Sequence, residues 1–199
     1  MRAGRTFLWG ALLWMAAIAA AILSLTSAAY AAPFVVFPKA GELRSVDGRY
    51  VVRNTERAAP MADFAGTFHS LYLEETATGR VRKLCDYVGV AAVAWTPSDR
   101  LIVTEYLSKR TSRAVIFSAD GMREPVMIDQ PLLVELVPVS LRPQLRENDH
   151  VFVEASDVVG ELLVLRVWGY GKHDAEGFRW RCEYGMVEGR ISCAEGTKP

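Results

Sequence analysis

The sequence predicts a mainly β protein: about three antiparallel sheets of four short strands, with one or two short linking helices. Beyond residue 31, short segments that alternate apolar and polar residues dominate the chain, and turn residues separate them. One phrase, a turn leading into a strand, recurs about every 50 residues, as "SVDGRYVV", "TPSDRLIV" and "RENDHVFV". Helical spacing of apolar residues is confined to a single segment.

The first 31 residues have the features of a secretory signal peptide. Arg2 and Arg5 form a positive start, and the apolar run "FLWGALLWMAAIAAAIL" follows. Ala29-Tyr30-Ala31 has small residues at both positions that a signal peptidase requires, so we expect cleavage after Ala31. The mature protein would then be periplasmic or secreted, with no stable membrane insertion. The alternative is an uncleaved N-terminal anchor, for which the apolar run is at the short end of the usual length.

The charge balance of the mature chain argues against nucleic acid as a partner. The whole chain has 23 basic and 23 acidic residues, and residues 1–31 contain two arginines and no acid. The mature chain therefore has 21 basic residues against 23 acidic ones, whereas nucleic-acid binding requires a basic excess on one face. Its length of about 168 residues, 32–199, fits one domain with its own core.

The strand segments group into three units, at about 34–88, 89–130 and 147–195. Tight turns are predicted at Asp47-Gly48, Thr78-Gly79 and Asp120-Gly121, because each pair lies between apolar runs and glycine supplies the positive φ of such turns.

The clearest strand is "FRWRCEY", in which alternate residues have opposite character. Phe178, Trp180, Cys182 and Tyr184 are predicted to face the core, whereas the residues between them, Arg179, Arg181 and Glu183, are predicted to face solvent. We therefore interpret these aromatic residues as core rather than as a ligand platform.

A helical linker, about 131–146, is predicted between the second and third units. The segment "QPLLVELVPVSLRPQLREN" has apolar residues at helical spacing, but Pro138 and Pro143 prevent one long helix. One or two short helices are expected.

Three cysteines leave three possible pairings in an oxidising compartment. Cys182 and Cys193 flank "EYGMVEGRIS", and a hairpin turn at 185–189 would bring them opposite each other on adjacent strands. We predict a Cys182–Cys193 disulfide. Cys85 would then be a buried apolar residue, although a free thiol or a different pairing remains open.

The repeated units resemble the blades of WD40-like, TolB-type periplasmic propellers. "SVDGRYVV…SLYLEETATGRVRKL" and "VAAVAWTPSDRLIV" are similar to the strand-entry patterns of these blades, and four short strands in about 50 residues is the size of one blade. The match covers 43–84 and 90–128 and is weaker for 150–193. The resemblance implies an open stack, a curled sandwich, or a ring completed by a second copy, because closed propellers have at least four blades. It implies no catalytic residue.

No catalytic motif, metal site or cofactor motif is recognised in the sequence, so we predict a non-catalytic binding or scaffold module. An envelope protein is the expected partner, and a homodimer is possible. The alternative is a small enzyme or a carbohydrate- or metal-binding protein that uses the loop "WGYGKHDAEGF". The candidate binding residues there are Trp168, Tyr170, Lys172, His173 and Asp174. His69 and His150, at strand starts, are expected to be ordinary surface residues.

Overall fold

The computed structural model describes residues 33–57, 67–108, 110–171 and 176–195. Within these ranges the chain is mainly β, as predicted, and none of its helices is long and apolar enough to span a membrane. The strands are β1 (Val35–Phe37), β2 (Glu42–Arg44), β3 (Tyr50–Arg57), β4 (Phe68–Glu75), β5 (Arg80–Val88), β6 (Ala91–Trp95), β7 (Arg100–Ser108), β8 (Thr111–Ser118), β9 (Val126–Ile128), β10 (His150–Val159), β11 (Leu162–Tyr170), β12 (Phe178–Gly185) and β13 (Arg190–Glu195). The helices are α1 (Gln130–Leu136) and α2 (Arg142–Glu147), with a 3-10 turn (Val139–Leu141) between them.

Most of the first unit is a separate antiparallel sheet in the order β2-β3-β4-β5, called here the first meander, whereas β1 at its start pairs with β6 of the second unit. Two of its connections contain predicted turn glycines, Gly48 and Gly79, at φ of 73° and 68°. A side chain at either position would be strained, which explains why glycine ends these hairpins. The inner face of the sheet contributes Val52, Leu71 and Leu73 to the core.

The second and third units belong to one nine-stranded sheet, in the order β1-β6-β7-β8-β10-β11-β12-β13, with β9 paired to β8. The second meander is β6 to β9 and the third is β10 to β13. They join because β10 runs parallel to β8. The sequence predicts about three sheets, and the structure merges two of them, which partly covers the strand edge that a free third meander would expose.

The junction between β8 and β10 depends on two buried hydroxyl groups. Only Val151 and Thr111 pair as strand residues. Further along β10, the amide of Val153 donates to Ser112 Oγ at 3.0 Å, and the amide of Ala155 donates to Thr104 Oγ1 at 3.0 Å. These hydroxyls replace the carbonyl acceptors of a neighbouring strand, so the two buried amides stay hydrogen-bonded.

Strand β7 lies between two core clusters. Leu101 and Val103 pack against the first meander, whereas Ile102 packs with the two helices and the third meander. A strand covered on both faces has a continuous apolar run instead of alternation, which is the pattern "LIV" at its start. The protein therefore has a layered β core with the helices on one side.

The predicted linker forms two short helices, as expected from its prolines. Asp129 caps α1 by accepting a hydrogen bond from the Leu132 amide at 3.1 Å. Pro138 follows the end of α1, and Pro143 lies in the first turn of α2, where its missing amide costs no helical hydrogen bond. Leu133 and Leu145 are fully buried and anchor the linker on the core.

The hairpin β12–β13 brings Cys182 opposite Cys193, as predicted. Their Sγ atoms lie 2.08 Å apart, at disulfide distance, and they are 11 residues apart in the sequence. A disulfide here fits an oxidising compartment. Cys85 is unpaired and half-buried in the first meander.

The first two repeated turns meet at one end of the sheets. Arg49, in the first turn, forms an ion pair with Asp99, in the second, which is 50 residues away. Asp47 accepts from the backbone amide of Arg49, from the Ser45 hydroxyl and from the Arg49 guanidinium, and these interactions lower its pKa from 3.8 to about 2. The two turns border a recess of about 340 Å³.

The third repeated phrase lies at the opposite end. Thr111 pairs with Ser108 at the far end of β7, and Thr111 also pairs with Val151 near the start of β10. Strand β10 therefore begins where β7 ends, so the turn at Asn148-Asp149 does not join the other two turns. The third turn therefore resembles the first two in sequence but lies at the opposite end of the sheets.

Candidate functional site

The candidate loop residues divide into two groups. Trp168 and Tyr170 lie at the end of β11 and point outward, away from the core. Lys172, His173 and Asp174, like the predicted cleavage site at Ala31, lie outside the described residues. Of the five candidate binding residues, the structure therefore describes the two aromatic ones, Trp168 and Tyr170.

Four aromatic rings form a row on the outward side of β10 and β11. Phe152 stacks on Trp168, with centroids 5.1 Å apart and planes 10° apart, and on Tyr170 at 6.0 Å. His150 meets Tyr170 edge-on at 4.7 Å. Such contacts hold the rings in fixed orientations and add to the free energy of burial. The row is a rigid apolar wall with one exposed end, since Tyr170 is 41% exposed and Trp168 is half-buried.

Three exposed arginines lie beside this wall. In the register of the third meander, Trp168 is directly opposite Arg179, and Arg166 is directly opposite Arg181. Residues paired in this way point to the same side of a sheet, with about 5 Å between their Cβ atoms. The set is called here the aromatic–arginine face, and it consists of Phe152, Trp168, Tyr170, Arg166, Arg179 and Arg181.

The aromatic–arginine face borders a recess of about 780 Å³. Trp168 and all three arginines line it, and Glu154 and Glu195 supply its acidic groups. The volume falls within the range of small-molecule and oligomer binding clefts. The side chain next to Arg181 on β13 is Ala194, which leaves space above the guanidinium.

The arginines of this face are only partly neutralised. Arg166 Nη2 lies 3.1 Å from Glu154, a carboxylate that also accepts the Tyr106 hydroxyl. Burial, and then the hydrogen bond to Glu154 and the charge of that carboxylate, raise the pKa of Tyr106. Arg181 is 3.5 Å from Glu183, and both are exposed. Among the described residues, Arg179 has no carboxylate partner.

The like-charged pair Arg166–Arg181 opposes a local rule of sheet stability. Like charges directly across two strands destabilise a sheet, and natural sheets pair opposite charges there. Glu154, 3.1 Å from Arg166, and Glu183, 3.5 Å from Arg181, offset part of this repulsion. Natural proteins break such local rules at functional positions and compensate for them elsewhere. The pair is therefore the strongest chemical signal on this face.

Sequence reasoning found the orientation of these arginines but not their grouping. The alternation in "FRWRCEY" predicts that Arg179 and Arg181 face solvent, which the structure confirms, and that Phe178, Trp180 and Tyr184 are buried, which it also confirms. Phe152 and Arg166 were missed. Their approach depends on the register of β10 and β12 against β11, and a sequence read strand by strand does not contain it.

The prediction that His69 and His150 are ordinary surface residues is wrong. His69 is 5% exposed and stacks on Tyr87, with ring centroids 5.1 Å apart. Its Nδ1 lies 3.4 Å from the amide of Asn54, which also accepts the Tyr87 hydroxyl at 2.6 Å. His150 is half-buried in the aromatic row.

A second polar cluster surrounds Cys85 and has a structural explanation. The carboxylate of Glu105, 1% exposed, accepts a hydrogen bond from Arg113 Nε at 2.7 Å. Burial, and then the charge of Glu105, raise the pKa of the nearby Cys85 thiol. A thiol that stays protonated is a poor nucleophile and a poor metal ligand, so Cys85 behaves as a packing residue.

Within residues 33–57, 67–108, 110–171 and 176–195, no group of three or more His, Cys, Asp or Glu side chains is placed to hold a metal ion. The aromatic–arginine face presents aromatic rings and guanidinium groups, which are chemically suited to apolar and anionic ligand groups.

Comparisons with known proteins add no information on function, so the function is inferred from the aromatic–arginine face. No protein-family model matches the chain, and neither a curated protein nor a solved structure shows significant similarity to it.

Proposed function

We propose that the protein is an exported, non-catalytic binding module of the bacterial cell envelope, and that it holds its ligand on the aromatic–arginine face. The observation that carries this proposal is the cross-strand pair Arg166–Arg181, set beside Trp168 in a 780 Å³ recess. The two like charges repel each other across the strands, Glu154 and Glu183 offset this repulsion in part, and a bound anion would offset more of it.

Two further features support a binding role. The rings of Phe152 and Trp168 are fixed by stacking, so little conformational entropy is lost when a ligand settles against them. The face is also built on regular strands, which hold side chains more rigidly than loops do.

Export is the second part of the proposal. Its support is the signal-peptide pattern that ends at Ala31, together with the disulfide distance between Cys182 and Cys193. The blade resemblance and a possible homodimer belong to the same proposal. A native intact mass of periplasmic protein tests them together: loss of residues 1–31 is the expected result, and a dimer would favour a ring completed between copies.

The binding role is tested by co-sedimentation. Protein expressed from the complete chain and purified from the periplasm is mixed with insoluble cell-envelope material and centrifuged. We expect the wild type to sediment with this material and the double variant Arg179→Ala/Arg181→Ala to remain in the supernatant. Both side chains are exposed, so the melting temperature should stay close to that of the wild type.

The matched control is Arg53→Ala/Lys83→Ala, which removes two exposed cations from the outward side of the first meander. It should sediment like the wild type. Equal sedimentation of the aromatic–arginine variant and the wild type would contradict the proposal. Turnover of the envelope material, abolished by one substitution, would replace it with an enzymatic function.

A further inference from the structure

We infer that the ligand of the aromatic–arginine face is a carboxylate-bearing polysaccharide chain of the cell envelope. This inference rests on the proposed binding function and adds the chemical class of the ligand. Three features support it: the spacing of the arginines, the position of the Trp168 indole, and the fact that the backbone of β11 and β12 is already hydrogen-bonded on both sides.

The arginines form a compact array for carboxylates. Arg166 and Arg181 are cross-strand neighbours, and Arg179 is two residues from Arg181 on the same side of β12. Neighbouring strands lie about 4.8 Å apart and alternate residues of one strand about 6.8 Å apart. Each guanidinium can bind a carboxylate through two parallel hydrogen bonds, so the array suits an acidic group repeated along a chain.

The arginines of the array are grouped on one face, although the charges of the whole chain balance. Across the chain, basic and acidic residues balance at 23 each. Three carboxylates lie near the three arginines: Glu154, which already binds Arg166 and Tyr106, Glu195, which also lines the recess, and Glu183, which reaches Arg181 at 3.5 Å. Exposed pairs of that kind are weak, so Arg179 and Arg181 remain available to an anion.

The indole gives the array its preference for rings. Phe152 occupies one side of Trp168, and Arg179 lies across from it on the other side. A sugar ring has a flat apolar side that packs on an aromatic ring, while its acidic substituent reaches the neighbouring guanidinium. Arg166 and Trp168 are two residues apart on β11 and lie on the same side of the sheet. One sugar unit of a polysaccharide could therefore contact the indole while the next unit contacts the guanidinium.

The backbone of the face argues against an extended peptide. Strands β11 and β12 are paired on both sides, so their amides and carbonyls are already used in the sheet. A peptide that binds by strand addition requires a free edge. An acidic peptide would have to bind this face through side chains alone.

The test is isothermal titration calorimetry with three probes at low salt. The first is an oligogalacturonate, the second is the same oligomer with its carboxylates methyl-esterified, and the third is a polyglutamate of equal charge. We expect the oligogalacturonate to bind, and each of the other two to bind at least about tenfold more weakly, because one loses the charge and the other loses the rings.

Variants place the binding on the face. Arg179→Ala/Arg181→Ala should weaken oligogalacturonate binding by about tenfold or more, whereas Arg53→Ala/Lys83→Ala should leave it unchanged. Affinity should also fall as salt is added, since the arginines are exposed to solvent.

Each other result overturns the inference in a distinct way. Equal binding of the ester would mean a neutral glycan, and equal binding of polyglutamate would mean an acidic polypeptide. If oligogalacturonate does not bind while envelope material still sediments through Arg179 and Arg181, the ligand class is wrong and the proposed function stands. If neither occurs, both fail.

Discussion

The first and third meanders are both four-stranded antiparallel sheets, yet their outward faces are organised in opposite ways. On the first, Arg53 lies 3.0 Å from Glu74 and 3.6 Å from Glu42, and Lys83 lies 2.7 Å from Asp86. On the third, Arg166 is directly opposite Arg181. On the first face each of these cations has a close carboxylate. On the third face Arg166 and Arg181 have carboxylates at 3.1 Å and 3.5 Å but also oppose each other, and Arg179 has no carboxylate partner among the described residues.

The two meanders also differ in how they join the rest of the protein. The first is a separate sheet and is held by apolar packing of residues such as Val52 and Leu71. The third continues a sheet and is held at its edge by the hydroxyls of Ser112 and Thr104. The aromatic–arginine face therefore lies on a meander whose attachment includes hydrogen bonds to buried side-chain hydroxyls as well as apolar packing.

The largest expected effect comes from removing both hydroxyls together, because each of them supports a different buried amide. Thr104→Val and Ser112→Ala each leave a buried β10 amide without an acceptor, so each should lower the free energy of unfolding by about 1–3 kcal/mol. Chemical denaturation measures the loss, and hydrogen exchange at Val153 and Ala155 locates it. Thr55→Val, at an exposed position of the first meander, is the control and should have little effect. Unchanged exchange at both amides would show that the junction is held by packing alone.

The disulfide gives an intermediate effect that is specific to the third meander. Cys182→Ala/Cys193→Ala should lower the free energy of unfolding by roughly 2–3 kcal/mol for so short a loop, in addition to the cavity at the fully buried Cys182. Reductant should lower the melting temperature of the wild type but not of this variant. Cys85→Ala should keep the response to reductant. A wild type that is insensitive to reductant would contradict the Cys182–Cys193 pairing.

The smallest effect tests the comparison of the two faces directly. Arg53→Gln removes attractive pairs, so it should lower the free energy of unfolding by about 0.2–1 kcal/mol. Arg181→Gln removes a cross-strand repulsion and only a weak exposed pair with Glu183, so it should raise the free energy of unfolding by a few tenths of a kcal/mol. Denaturant titrations in parallel measure both. Equal losses in the two variants would mean that the Arg166–Arg181 pair carries no strain, which would remove the main support for a binding face.

Much of the fold follows from local patterns in the sequence. Period-two alternation gave the orientation of Phe178 to Tyr184, glycines marked the turns at Gly48 and Gly79, and prolines limited the linker to two short helices. Each of these properties is decided within a few residues, which is why they can be predicted without a structure. The disulfide belongs with them, because the hairpin that aligns Cys182 with Cys193 is itself local.

The candidate site could be predicted only in part. Trp168 and Tyr170 were identified from a loop pattern, whereas Phe152 and Arg166 were not, and Lys172, His173 and Asp174 lie outside the described residues. The grouping of Phe152, Trp168 and Arg179 requires three strands in a particular register, and a shift by one residue would turn every one of these side chains to the other side.

The sequence by itself determined the strands, the turns, the helical linker and the cysteine pair, because short-range sterics and side-chain periodicity fix them. Only the tertiary structure decided that β10 joins β8 in parallel and that the third repeated turn lies at the opposite end from the first two. It also decided that two like charges meet beside an aromatic row. These features depend on contacts between residues far apart in the chain, where many pairings satisfy the local pattern and the packing of the whole core selects one.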